Sequence, residues 1–132
     1  MTQYVIDTVA FVRHLQDTLS PKIERIFDAA EAGRNHLILP EIALAEFVYI
    51  SLKGRLKATR PALKVRDVLH HVYASEAFTV SGMSSSAWES FLELPIPELH
   101  DRLIASDAVS RRAPLISNDP AFDGIPGLAR IW

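Results

Sequence analysis

The sequence predicts a three-layer α/β/α domain with a mostly parallel central sheet, on three observations. Short, almost uninterrupted apolar runs, Tyr4-Val5-Ile6, Leu37-Ile38-Leu39 and Leu115-Ile116, have the make-up of strands buried on both faces. Longer segments with apolar residues at helical spacing separate them. Strands alternating with helices require crossover connections, which give a parallel sheet with a helical layer on each side. At 132 residues, without an internal repeat or a long linker, the chain reads as one domain over 1–132.

The elements follow in order. The first strand ends at Asp7, and Thr8 is placed to cap a helix bearing Phe11, Val12 and Leu15. Ser20-Pro21 starts a second helix, with the cap followed by proline; Ile23, Ile26, Phe27 and Ala30 form its apolar face and Gly33 stops it. After the strand Leu37-Ile38-Leu39, Pro40 opens a third helix reaching about Leu52. Pro61 opens a fourth, with Leu63, Val65, Val68, Leu69 and Val72 facing inward. A short strand over 77–80, a helix over 84–94 and a helix from Pro97 with Leu99, Leu103, Ile104 and Ala108 inward come next. The strand ending at Ser117, a turn-rich loop over 118–127 and a closing strand over 129–132 complete the chain.

Composition narrows the function. Hydrophobic residues make up 48% and charged residues 23%, the balance of a folded globular protein. With no cysteine there is neither a disulfide nor a thiolate metal site, which agrees with a reducing cytoplasm. The opening residues lack the basic flank and apolar core of a signal peptide, and no apolar stretch is long enough to span a bilayer. There is no glycine-rich phosphate loop and no nucleophile-elbow serine. The five histidines form no ligand pattern, and Val9 stands where an aspartyl phosphatase would need its second acid. A net charge of −2 announces no nucleic-acid binder, but six of the fourteen basic residues fall between Lys53 and Arg66 without an intervening acid.

The informative acids are Asp7, Glu46, Asp101 and Asp119. Each has a structural reading. Asp7 follows a strand as a cap or turn residue would, and Glu46 can belong to a buried ion pair. Asp101 suits the positive end of a helix dipole, and Asp119 suits a turn before Pro120. Glu46 is the hardest to set aside, since Ile42 to Ile50 is otherwise apolar and a lone charge there is costly. Together they are two strand-end acids, one helix-start acid and one mid-helix acid on one prospective edge of the sheet. Ligands in such sheets bind beyond the carboxyl ends of the strands. Four oxygen donors without His or Cys suit Mg²⁺ or Mn²⁺ over Zn²⁺. Asp123, in the same loop as Asp119, is a candidate fifth, water-mediated ligand. Asp107, six residues beyond Asp101, points about 120° away on the helix and is not a co-ligand.

These residues carry a resemblance. Val5-Ile6-Asp7-Thr8, Pro40 through Ala45-Glu46, His100-Asp101-Arg102-Leu103-Ile104-Ala105 and Leu115-Ile116-Ser117-Asn118-Asp119 resemble the motifs of the PIN domain in order, acid type and spacing. The likeness is to the VapC-type toxins of toxin–antitoxin pairs and their free-standing relatives, and it extends to the closing Leu128-Ala129-Arg130-Ile131-Trp132. It implies a Rossmann-like fold and metal-dependent endoribonuclease activity, with Asp7, Glu46, Asp101 and Asp119 as catalytic metal ligands. Thr8 and Asn118 match polar positions beside those acids and would hydrogen-bond the carboxylates.

On that reading an RNA substrate needs basic contacts around an acidic centre. The expected ones are Lys53, Arg55, Lys57 and Arg60, whose alternative is a solvated surface. Arg102 is expected at the scissile phosphate, its alternative being an ion pair with Glu98 four residues earlier. The expected partners are RNA, an antitoxin protein and a second copy of the chain, the last through the third and fourth helices by way of Phe47, Tyr49, Val72 and Tyr73. The competing functions are an RNA-processing nuclease of the same fold without an antitoxin, and a catalytically weak module that holds RNA or protein.

Overall fold

The computed structural model describes residues 1–54 and 64–132. Five strands form one sheet in the order β3-β2-β1-β4-β5, and all four pairings are parallel. They are Thr2–Ile6 (β1), Asn35–Pro40 (β2), Phe78–Ser81 (β3), Leu115–Ile116 (β4) and Arg130–Ile131 (β5). Helices Thr8–Gln16 (α1) and Pro21–Glu31 (α2) join β1 to β2, and Glu41–Leu52 (α3) and Val65–Ala74 (α4) lie between β2 and β3. Ser85–Glu93 (α5) and Leu99–Arg111 (α6) lie between β3 and β4. From β1 the chain steps outward to β2 and β3, then returns to β4 on the other side of β1. Right-handed crossovers in opposite directions put helices on opposite faces, so this reversal builds the third layer.

Burial explains why the strand runs were legible. Val5, Ile6, Leu37, Leu39, Leu115 and Ile116 are fully buried, as strands covered on both faces must be. Phe11 of α1 packs edge-on against Phe47 of α3 (5.3 Å between ring centres) and Phe78 of β3 (6.2 Å). It ties three elements into one core, and truncating it to alanine would cost about 3–5 kcal/mol.

Local chemistry corrects several boundaries. Asp7, not Thr8, caps α1: its Oδ1 accepts from Ala10 N at 2.8 Å, and Thr8 is already helical. Ser20 caps α2 as expected, and Gly33 (φ +80°) takes the left-handed turn that ends it. Helix α6 begins at Leu99, not Pro97, because Glu98 is its cap and Oε2 accepts from Asp101 N at 2.6 Å. The expected helix start at Pro61 lies outside the described residues, as does Leu63; from Val65 onward α4 is helical, with Val68 and Val72 buried. Helix α3 is not buried all round: Ala43, Leu44 and Phe47 face the core, while Tyr49 and Leu52 are 59% and 76% exposed. Among the described residues no helix is long and apolar enough to cross a membrane.

Candidate active site

The sheet changes direction between β1 and β4, where a parallel α/β fold opens a crevice beyond its strand ends. Asp7 leaves the end of β1, and its amide donates to Ile116 O of β4 (3.2 Å). Three residues beyond that carbonyl stands Asp119, on the other side of the crevice. Glu46 reaches in from α3 and Asp101 from the first turn of α6. All four carboxylates border one cavity of about 360 Å³, with Thr8, Val9, Ile104, Asn118 and Pro120 as the rest of its wall. The sequence had offered these acids as separate weak signals; the fold brings all four together.

Each acid is held differently. Asp7 is 6% exposed, and burial pushes its carboxyl above the usual range. The Ser117 hydroxyl and the Ala10 amide pull it back, and the charge of Asp119 pushes it further up. Glu46 is half-buried and also raised by burial, opposed by His100 and by the nearby Thr8 hydroxyl. That hydroxyl makes no hydrogen bond of normal geometry, although it is buried. Asp101 is raised by burial, then by the charges of Glu98, Asp119 and Asp7. Asp119 caps the 3₁₀ turn Pro120–Phe122, with Oδ1 accepting from Ala121 N at 2.9 Å, while its own amide donates to Ser117 Oγ at 3.1 Å.

Three of these carboxyls, Asp7, Glu46 and Asp101, are thus raised first by burial and further by neighbouring carboxylates, with the buried Thr8 hydroxyl beside them. That is an excess of negative charge which a hard divalent cation would relieve. Chemically, an all-oxygen set of this kind fits a hard divalent cation. Among the described residues, however, no group of three or more His, Cys, Asp or Glu side chains is arranged to hold a metal ion.

Two other expected site residues are placed elsewhere. Asp123 is exposed and outside the cavity wall, and pairs with Arg130 through Nε–Oδ1 at 2.7 Å and Nη2–Oδ2 at 2.9 Å. Arg130 holds its carboxyl below the usual range and also donates to Ser117 O (3.2 Å), so this pair staples the Asp119 loop. Arg102 reaches neither the cavity wall nor Glu98. Its guanidinium donates to carbonyls at the end of α5 and just beyond, because Glu98 is already engaged by Asp101 N and by His100 Nδ1 at 3.1 Å. Lys53 stands at the end of α3 with its ammonium over the Tyr49 ring, 4.9 Å from the centre. Arg55, Lys57 and Arg60 lie outside the described residues. Asp107 is not a ligand, as its helical angle indicated: it is buried, paired with Arg111 Nε at 2.6 Å and with the Ser81 hydroxyl.

Sequence reading missed Ser117, which is buried and serves both Asp7 and Asp119. It also missed Glu98 as the cap of α6. The signals were present, a hydroxyl directly after a strand and a carboxylate three residues before Asp101.

The PIN domain family profile matches residues 4–128. The chain belongs to the PIN domain family. Among solved structures this PIN domain is similar to a chain in the crystal structure of VapBC2 from Rickettsia felis bound to a DNA fragment from their promoter (21% identity, 99% of each chain, TM-score 0.73). It is also similar to a chain of DNA-bound VapBC from Salmonella typhimurium (18% identity, 99% of this chain and 98% of that one, TM-score 0.71). A third is VapBC-5, a toxin–antitoxin system member from Mycobacterium tuberculosis (20% identity, 99% and 98%, TM-score 0.62). At these identities the likeness is one of fold. No curated protein matches the chain by sequence.

Proposed function

We propose that this PIN domain is a divalent-metal-dependent endoribonuclease and the toxin of a toxin–antitoxin pair. One observation carries the reading: four carboxylates from four separate parts of the chain border a single cavity at the switch point of the sheet. Asp7, Glu46 and Asp101 would hold the principal Mg²⁺ or Mn²⁺, and Asp119 would hold a second ion or orient water. When bound, such ions neutralise charge on the scissile phosphate and acidify a water molecule. Asp7 keeps its carboxylate aimed through the cap bond to Ala10, and Ser117 steadies both strand-end acids. Thr8 and Asn118, on the cavity wall, offer hydrogen bonds to the carboxylates.

Lys53, at the end of α3, would contact RNA phosphates, and Arg55, Lys57 and Arg60 are proposed from the sequence to do the same. An antitoxin partner is supported by the neighbours, whose structures are toxin–antitoxin complexes. A homodimer is supported by the groove of about 370 Å³ between α3 and α4, where Leu69 lies beside the exposed Tyr49, Leu52 and Tyr73. Phe47 and Val72, expected on that surface, belong instead to the core.

The test is incubation of purified protein with structured RNAs in Mg²⁺, in Mn²⁺ and in chelator. Metal-dependent cleavage that Asp7→Asn abolishes is the expected result. Binding without cleavage in every metal would reject the nuclease reading in favour of an RNA-holding module.

A further inference from the structure

Arg102 follows Asp101 in the first turn of α6, yet it is not among the residues that border the cavity. Its guanidinium makes three hydrogen bonds elsewhere. Nε donates to Phe91 O at 2.7 Å, Nη2 to Leu92 O at 3.3 Å and Nη1 to Ile96 O at 3.4 Å. The same group lies over the Phe91 ring, 4.7 Å from its centre. Phe91 and Leu92 belong to the last turn of α5, whose carbonyls have no acceptor role left inside the helix. Ile96 sits between Pro95 and Pro97 in the connector to α6, where two of three residues lack an amide hydrogen. One side chain thus joins the end of α5, the connector and the start of α6. Glu98 completes the joint from the other side, through Asp101 N and His100 Nδ1.

Asp101 needs such a joint more than its companions do. Asp7 and Asp119 follow paired strands, and Glu46 lies within a long helix packed on the core. Asp101 stands one turn into a helix entered through an exposed connector that is anchored by the buried Leu94 and Ile96. Metal ligands tolerate errors of only a fraction of an ångström, so their supporting contacts govern affinity. The geometry points to Arg102 as a positioning residue that fixes the backbone of Asp101 relative to Asp7, Glu46 and Asp119. The inference rests on reading the cavity as a metal-dependent nuclease centre, and it replaces the phosphate contact expected of Arg102. Lysine cannot take over, because a single ammonium lacks the planar fork that reaches three carbonyls while lying on a ring.

The experiment compares wild type with Arg102→Lys and Arg102→Met. It uses Mn²⁺ titration calorimetry on chelator-treated protein, circular dichroism, and RNA cleavage at saturating Mn²⁺. Both variants are expected to stay folded while the Mn²⁺ dissociation constant rises about 10–100-fold. The value of kcat should fall while KM for RNA stays within about twofold, since substrate binding is untouched. Unchanged Mn²⁺ affinity with a raised KM would overturn the inference and return Arg102 to the phosphate. Unchanged affinity and kinetics with a lowered melting temperature would overturn it in favour of a purely structural tie. Should Arg102→Met not fold, Arg102→Lys, which keeps charge and stem, decides alone. Wild-type protein that fails to bind Mn²⁺ would overturn the reading of the cavity, and this inference with it.

Discussion

Asp7 and Asp119 stand beyond the ends of adjacent parallel strands, β1 and β4, on either side of the point where the strand order reverses. They lie close enough for the charge of Asp119 to push the Asp7 carboxyl up, and Ser117 makes contact with both. Two acids arranged in this way oppose folding while they are bare, and a divalent cation held by the cavity's carboxylates would offset that cost.

Asp7→Asn therefore has opposite effects on activity and on stability. The amide can still accept the Ala10 bond that caps α1 but removes one charge from a crowded cavity. RNA cleavage should fall by orders of magnitude, while the metal-free variant melts no lower than wild type at neutral pH. Wild type should gain about 1.4 kcal/mol from metal at tenfold excess over the dissociation constant, and the variant should lose most of that gain. Thermal melts in Mn²⁺ and in chelator check both; a destabilised variant with full activity would make Asp7 a cap alone.

Asp107→Ala should behave the other way. Its carboxylate is buried against Arg111 and the Ser81 hydroxyl, between α6 and β3 and away from the acid cavity. Removing it leaves a buried hydroxyl unpaired, a cost of about 1–3 kcal/mol. Denaturant melts should show that loss, with cleavage by the folded fraction unchanged.

His14 sets a pH dependence. It stacks on Phe27 (4.7 Å between ring centres), and burial, more than the neighbouring His71, lowers its pKa from the ordinary 6.5; Glu31, Asp17 and Asp28 oppose the shift. The folded state thus prefers the neutral ring. Its contribution is fully present above 6.5 and is lost as the pH falls from there toward the folded value. The melting temperature of wild type should drop more steeply than that of His14→Phe between about pH 6.5 and 5. Parallel curves would place the loss on other groups.

Replacing Lys53, Arg55, Lys57 and Arg60 by glutamate should weaken RNA binding for all sequences. It should also flatten the slope of log affinity against log salt by about 0.7–0.9 for each phosphate that is no longer neutralised. An unchanged slope in fluorescence anisotropy would make the run a solvated surface.

Tyr49→Asp with Tyr73→Asp should convert a dimer to a monomer in light scattering without lowering the melting temperature of the subunit, because both rings are more than half exposed. A wild-type monomer at high micromolar concentration would remove the dimer from the proposal.

Periodicity and strand composition determined the element order and the parallel sheet, because a strand covered on both faces must be apolar along its length and leaves that mark locally. Asp7, Glu46, Asp101 and Asp119 were also legible as candidates, through the order and spacing of the motifs that hold them; of the four only Glu46, in an apolar helix, departs from what its local setting favours. Only the tertiary structure decided what the neighbouring charges do. Arg102, Asp123 and Asp107 are all charged residues near those acids in sequence; the helical angle turns Asp107 away from the site, but nothing local separates the roles of Arg102 and Asp123. Their partners are the carbonyls at the end of α5, Arg130 beside β5 and the Ser81 hydroxyl of β3, with only Arg111 of Asp107 within the same helix. A charged side chain takes its role from the group that satisfies it, and that group is brought within reach only when distant segments pack.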